Sequence, residues 1–379
     1  MSVWPTRYRR STALGLTRAA TVVAWCLGGI LPVAAQHGTV TITGTVVDAQ
    51  TGLPLEHAHV FIASSMIGTA TNAAGIFQLS EVPEGAHRLF ISMIGYDSAE
   101  RDSLFRAPRA YHVDIQLAPT VVTMSEIVVN AREARRWQRR LLKFERMLLG
   151  ETDNAAFAKI LNPEVLSFSS RWGKFTASAA EPLVIENTAL GYRMQYFLKE
   201  FESSGGTIKW DGEPLFTELE PDSGKQAAMW ESNRRKAFLG SMRHLMLTLL
   251  GGRWAEEGFE ISRRLSPDQS DQSFRVDPAT LLRKGPTPQE KELAFHGYLE
   301  VVYANEEEAE AYGRWLGRSS WRHSGFQRSL LRLNDGPTLI DQSGEVIDPY
   351  GVIVYGYFAF ERVGDEIPKE YRPSNWRMP

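Results

Sequence analysis

From residue 39 to residue 118, apolar and polar side chains alternate along short segments, with glycine, proline, asparagine or aspartate interrupting them at regular spacing. A period of two places successive side chains on opposite faces of an extended chain, so this stretch is restricted to short strands joined by tight turns. "TVTITGTVV" (39–47) is one strand, and Asp48, Gly52 and Pro54 punctuate the turn after it. "LEHAHVFIA" (55–63) is the next, with Ala58, Val60 and Ile62 on one face and His57, His59 and Phe61 on the other. "IGTATN", "GIFQLSEV", "AHRLFISMIGY" and "AYHVDIQLAP" supply the rest; in the last, Val113, Ile115 and Leu117 point inward and His112, Asp114 and Gln116 outward. Five or six such strands predict an all-β sandwich.

The residues ahead of this stretch predict export. Arg7, Arg9, Arg10 and Arg18 form a positive start without acids, residues 19–33 are apolar, and Val33-Ala34-Ala35 offers small residues at the cleavage positions. The expectation is a signal peptide over 1–35, cut between Ala35 and Gln36. Trp25 before Cys26 argues against a lipoprotein signal, and losing the lone Cys26 would leave no thiol or disulfide chemistry. Losing four arginines would move the formal charge from −3 to −7, a balance that argues against nucleic acid as the partner. No later apolar run is long enough to cross a membrane as a helix.

Beyond a linker (119–131) the period changes. "REARRWQRRLLKFERMLLG" (132–150) places Trp137, Leu141, Phe144 and Leu148 at helical spacing, with arginines and lysines on the remaining face. Residues 182–202 read as two strands joined at Asn187. Residues 230–252 read as a second helix with Phe238, Met242, Leu245 and Leu249 as its core stripe. "GYLEVVY" and "QRSLLRL" are strands, and "NEEEAE" (305–310) is a solvated turn or helix start. Residues 347–368 hold a long aromatic strand, with Val352, Val354, Phe358 and Phe360 on one face and Ile353, Tyr355 and Tyr357 on the other. A strand apolar on both faces is buried. The predicted organisation is leader 1–35, sandwich 36–118, linker 119–131, and a larger β-rich α+β domain over 132–379.

"ITGTVVDAQTGLPLEHAHVFI" (42–62), "GTATNAAGIFQL" (68–79) and "ISMIGYDS" (91–98) resemble, as a set, the carboxypeptidase-regulatory-like, transthyretin-like domain family; Asn72 stands where that pattern has Asp. Both residues make the same side-chain turn. "LAPTVVTMSEIVVNA" is similar to the exit of this domain in TonB-dependent outer-membrane receptors. The 249 residues after Asn130 are too few for a plug and a large barrel, so a receptor is not expected. The remainder is similar to uncharacterised envelope proteins that carry the same sandwich in front. Their carboxypeptidase-like naming comes from the sandwich and implies no activity.

The chemistry-bearing residues are sparse. A zinc carboxypeptidase needs His-x-x-Glu with a distant His; none of the eight histidines (37, 57, 59, 87, 112, 244, 296, 323) starts such a motif. The sequence also lacks Gly-x-Ser-x-Gly, a phosphate-binding glycine loop and a dinucleotide fingerprint. No catalytic residue, metal or cofactor is therefore assigned. His57 and His59 share a strand face without a third ligand and are expected to face solvent. Ser241 and His244, three apart on a helix, lack the orienting acid and oxyanion donors of a nucleophile. Arg234, Arg235 and His244 are the candidate binding residues, with Asn233 beside them; salt bridges to the domain's own carboxylates are the competing role of the arginines. The expected function is an exported, non-catalytic binding or scaffold protein of the cell envelope, periplasmic or outer-membrane associated, with a protein or glycan as partner. A carboxypeptidase-type hydrolase would instead gather acids and a histidine in a hollow near Glu181, Glu186, Arg234 or His244, and a glycan-binding protein would show exposed aromatics.

Overall fold

The computed structural model describes residues 38–106, 109–120, 131–267, 273–318, 325–374 and 376; the expected leader with its Ala35–Gln36 cleavage site, most of the expected linker and His323 lie outside them. Strands β1 (Thr39–Asp48), β2 (His59–Ile62), β3 (Gly68–Ala70), β4 (Ile76–Pro83), β5 (Gly85–Ser92), β6 (Ala99–Phe105), β7 (Ala110–His112) and β8 (Ile115–Leu117) build the sandwich. One sheet is ordered β4–β1–β7, with β8 also on β1; the other is ordered β3–β2–β5–β6. The period-two pattern fills the space between them: Val40, Ile42 and Val46 of β1 meet Val60, Ile62, Phe77, Leu79, Leu89, Ile91 and Phe105. Val113, Ile115 and Leu117 are buried as their alternation predicts. His57 is the exception. It sits at φ 64° in the turn before β2, so it shares no strand face with His59.

Helix α1 (Ala131–Leu149) follows, then β9 (Ala158–Ile160), β10 (Leu166–Arg171), β11 (Lys174–Ala179), β12 (Leu183–Asn187), β13 (Tyr192–Ser204) and β14 (Thr207–Glu218). They form a six-stranded sheet in which β13 pairs with β11, β12 and β14. The β13–β14 hairpin turns at Gly205 and Gly206, both at positive φ, as a tight turn between right-twisted strands requires. The helical stripe of α1 packs on this sheet: Leu141, Phe144 and Leu148 join Phe175, Ile185, Met194 and Phe201 in one core.

Residues 230–252 are two helices, α2 (Gly224–Phe238) and α3 (Met242–Leu250), rather than one. The break is at Gly240, whose φ of 78° is incompatible with a continuous right-handed helix. Ser241 then starts α3 by accepting a hydrogen bond from the His244 backbone N–H at 3.2 Å. A third core joins Leu245, Met246 and Leu249 of α3 to the sheet formed by β15 (Phe259–Arg264), β16 (Ser273–Arg275), β19 (Tyr298–Glu307), β20 (Phe326–Leu333) and β22 (Val352–Gly356). A small sheet of β17 (Leu282–Lys284), β18 (Lys291–Leu293) and β21 (Thr338–Ile340) contributes Leu293 and Ile340 to it.

"NEEEAE" divides between the end of β19 and the start of α4 (Glu310–Trp315). The long aromatic strand is also shorter than expected. Strand β22 ends at Gly356, at φ 74°, and Tyr357–Phe360 is a single helical turn, α5. Tyr357, Phe358 and Phe360 are buried, but Tyr355 is 40% exposed, so the burial expected of the segment holds for its aromatic end. Gly38–Pro379 is one compact unit containing all of these cores.

Candidate functional site

The outer face of the sandwich is covered where β2 and β5 lie side by side. Phe61 of β2 and Phe90 of β5 point away from the sandwich core and meet Phe197 of β13, with ring centroids 4.9 and 5.5 Å from it; Leu215 of β14 packs alongside. His59, expected to face solvent, is half-buried with its ring 5.6 Å from Phe197, and burial lowers its basicity. The backbone continues the seam. Ser64 N–H donates to Pro214 C=O, Phe216 N–H to Ser65 C=O, and Lys369 N–H to Ser64 C=O, at 3.0, 2.9 and 2.8 Å.

Charge is concentrated at one end of this seam. The Arg88 guanidinium of β5 reaches Asp102 at 3.0 Å, Glu213 of β14 at 3.3 Å and the Ile347 carbonyl at 3.1 Å. Lys199 lies 2.7 Å from Glu100, 3.0 Å from Glu213 and 3.1 Å from Asp211. Glu213 is the shared acceptor. It is nearly buried, and that burial raises its pKa while Lys199 and Arg88 lower it. Arg88 and Lys199 are both held in their charged forms by these carboxylates, against the cost of burial.

A cavity of about 160 Å³ opens beside Arg88, lined also by His87, Glu213, Glu290, Asp341 and Glu345. Burial, opposed by Lys369, pushes the Glu345 carboxyl up to about 7. His87 lies 2.8 Å from the Pro83 carbonyl through Nε2, and burial followed by the nearby Lys369 brings it down to about 4. The ring is therefore neutral near pH 7, with Nε2–H the donor and Nδ1 a bare acceptor. The Asp341 carboxylate holds its own loop, accepting from the Ser343 N–H at 2.8 Å and the Glu345 N–H at 3.0 Å. The cavity is smaller than a typical small-molecule site. Its carboxylates suit a few waters or the tip of one cationic group.

The candidates taken from the sequence lie elsewhere. Arg234 is buried: Nε donates to the Leu190 carbonyl at 2.7 Å, Nη2 to that of Gly191 at 3.2 Å, and Nη1 pairs with Glu218. Its plane lies 4.0 Å over the Tyr192 ring. Asn233 donates to the Ala189 carbonyl, whereas Arg235 is exposed. His244 is fully buried among Phe238, Phe259, Tyr303 and Trp376, accepts from the Gly240 N–H at 3.1 Å, and is lowered to about 3 by burial. Its relation to Ser241 is that of a helix cap, not of a nucleophile and base. Glu186 pairs with Arg193, and Glu181 is exposed. Among the described residues, no three histidine or acidic side chains converge as metal ligands, and no helix is long and apolar enough to cross a membrane. The sequence reading missed the seam. Its one local signal was Arg88, a cation on the same strand face as Phe90.

No curated protein matches the sequence. Partial structural likenesses exist. The backbone protein of the group B streptococcus pilus 2b is 13% identical at a TM-score of 0.19, over 22% of this chain and 42% of that one. The 3-chlorocatechol 1,2-dioxygenase of Rhodococcus opacus 1CP is 13% identical at 0.19, over 22% and 61%. The 5-hydroxyisourate hydrolase of Klebsiella pneumoniae is 19% identical at 0.18, over 22% and 93%. These likenesses assign no activity. Residues 42–129 match the family described as CarboxypepD_reg-like domain, and this places the amino-terminal sandwich with the carboxypeptidase-regulatory-like domains.

Proposed function

We propose that the chain is an exported protein of the cell envelope, in the periplasm or at the outer membrane, that binds a protein or glycan partner rather than catalysing a reaction. The observation that carries this reading is the use to which the fold puts its reactive groups. The guanidinium fork of Arg234 is occupied by two carbonyls and Glu218, Ser241 caps α3, and His244 is walled in by aromatic rings. In such a protein the sandwich acts as a fixed lobe that shapes the second domain.

Two measurements test this. Incubation of the chain from Gln36 with a peptide library should leave the peptides intact; cleavage abolished by a chelator would overturn the binding reading. Expression of the whole chain in a Gram-negative host should yield an envelope-fraction protein starting at Gln36, and retention of residues 1–35 in the cytosol would refute export. One observation favours a hydrolase as the second reading: the Glu345 carboxyl, pushed up to about 7 beside a cavity, has the protonation of a general acid. Library cleavage lost in Glu345→Gln would establish that reading.

A further inference from the structure

Helix α1 carries seven arginines or lysines against two glutamates, an excess of five positive charges in a chain whose formal total is −3. Its apolar stripe is already consumed by the core, so the basic residues occupy what is left. Arg135, Arg136, Arg139 and Lys143 are exposed, and Leu142 among them is 62% exposed. The β10–β11 hairpin lies along the same helix. The Phe168 ring is 6.0 Å from Trp137 and 5.6 Å from Phe144, Arg140 donates to the Phe168 carbonyl, and the Lys143 ammonium sits 4.5 Å over the Phe175 ring. One residue before Phe175 the hairpin reaches its tip, Arg171-Trp172-Gly173-Lys174. Trp172 is fully exposed there at φ 51°, followed by Gly173 at φ 78°. This turn holds a bare indole outward between Arg171 and Lys174, the latter paired with Glu202, next to the basic face of α1.

We propose that α1 and the β10–β11 tip form a docking surface for an anionic phospholipid bilayer. The exposed cations of α1, with Arg171, would face lipid phosphates, and the Trp172 indole would enter the interface. An indole prefers the boundary between headgroups and acyl chains, and arginine and lysine stems bend back from that depth toward phosphate. Charges elsewhere in the chain are screened beyond about 8 Å at physiological salt, so an anionic bilayer engages only the basic face turned toward it. This inference goes beyond the binding reading above and stands on α1 and the hairpin alone.

The test is flotation of the compact unit Gly38–Pro379 with vesicles of phosphatidylcholine alone and with an equimolar mixture of phosphatidylcholine and phosphatidylglycerol. Binding is expected only to the mixture, and should disappear in about 1 M salt, where the screening length falls to about 3 Å. Arg135→Gln/Arg136→Gln/Arg139→Gln together should weaken partitioning on the order of 100-fold, about 5-fold for each charge. Trp172→Ala should weaken it roughly 10-fold and leave the salt dependence unchanged. These side chains are exposed, so the melting curves should coincide with the parent's. Should a variant melt early, quenching by brominated lipid in the parent, lost in Trp172→Phe, gives the same answer. Equal binding to neutral vesicles, no binding, an unaffected triple variant, or tighter binding to heparin than to the anionic vesicles would each overturn the proposal.

Discussion

Phe197 is the side chain on which the seam turns. It belongs to β13 of the second domain, is 6% exposed, and touches three residues of the sandwich: Phe61, Phe90 and His59. Phe197→Ala would remove the ring from between two otherwise sound cores. A buried phenylalanine cut to alanine costs about 3–5 kcal/mol. Each aromatic pair beyond the area term adds about 0.5–1.5 kcal/mol. The seam relaxes more easily than a closed core because Leu215 beside it is only partly buried, so a loss of about 3 kcal/mol is expected. The assay is urea unfolding of Gly38–Pro379 followed by circular dichroism and by tryptophan fluorescence. All the tryptophans of Gly38–Pro379 lie beyond the sandwich, so the fluorescence reports on the second domain. The parent should show coincident transitions, and Phe197→Ala should separate them. A loss below roughly 1 kcal/mol with transitions still coincident would refute the reasoning, because the ring would then not couple the two parts.

Arg234→Ala should cost about 3 kcal/mol in the same unfolding assay, since it strands the Leu190 carbonyl and empties the space over the Tyr192 ring, and Arg234→Lys should not restore it because an ammonium cannot span all three acceptors. Ser241→Ala should lower stability by about 1 kcal/mol, the worth of a helix cap, and Ser241→Asp should recover only part of it, since a carboxylate accepts from the His244 N–H but cannot donate to the Phe238 carbonyl as the hydroxyl does. Stability should also fall between roughly pH 6 and pH 8. Burial lifts Glu345 and Glu366 to about 7 and Asp365 to about 6, so these carboxyls bind protons more tightly folded than unfolded. Their contribution is complete below the ordinary carboxylate range and lost as pH climbs through those values, by on the order of 1 kcal/mol each. His87 and His244 act in the opposite sense, losing their contribution as pH drops below 6.5 toward about 4 and about 3, so they offset part of the fall near pH 6 and leave it clearest above about pH 7. Melting temperatures that stay level or rise over that interval would contradict this assignment.

The parts legible in the sequence are those whose physics is local. Alternation and turn residues place the sandwich strands because β1 buries every second side chain, and β4 does so as far as Leu79, whatever else the chain does. The α1 stripe works likewise, since Leu141, Phe144 and Leu148 need only one apolar surface. The failures have local causes too. The α2–α3 break at Gly240 depends on a left-handed φ that one glycine in an apolar run does not announce, and Gly356 hides the end of β22 in the same way. The seam was illegible for a different reason. Phe61 and Phe90 look like stray apolar residues on a solvent face until Phe197, more than a hundred positions later, covers them. The same distance in sequence hides the cavity, whose walls come from β5, β6, β14 and the loop at Asp341 and Glu345. Arg234 and His244 attract attention as functional types, and only the packing of α2 and α3 shows them committed to carbonyls and rings.

A sandwich held in one fixed position against its own second domain is the central claim. Its most direct test is the distance between spin labels at Ala73→Cys, in the β3–β4 turn, and Lys225→Cys, on the exposed start of α2, read by pulsed electron resonance in Gly38–Pro379, which contains no other cysteine. A single narrow distance distribution, broadened by Phe197→Ala, is the predicted result. A broad distribution in the parent, unchanged by that substitution, would contradict it.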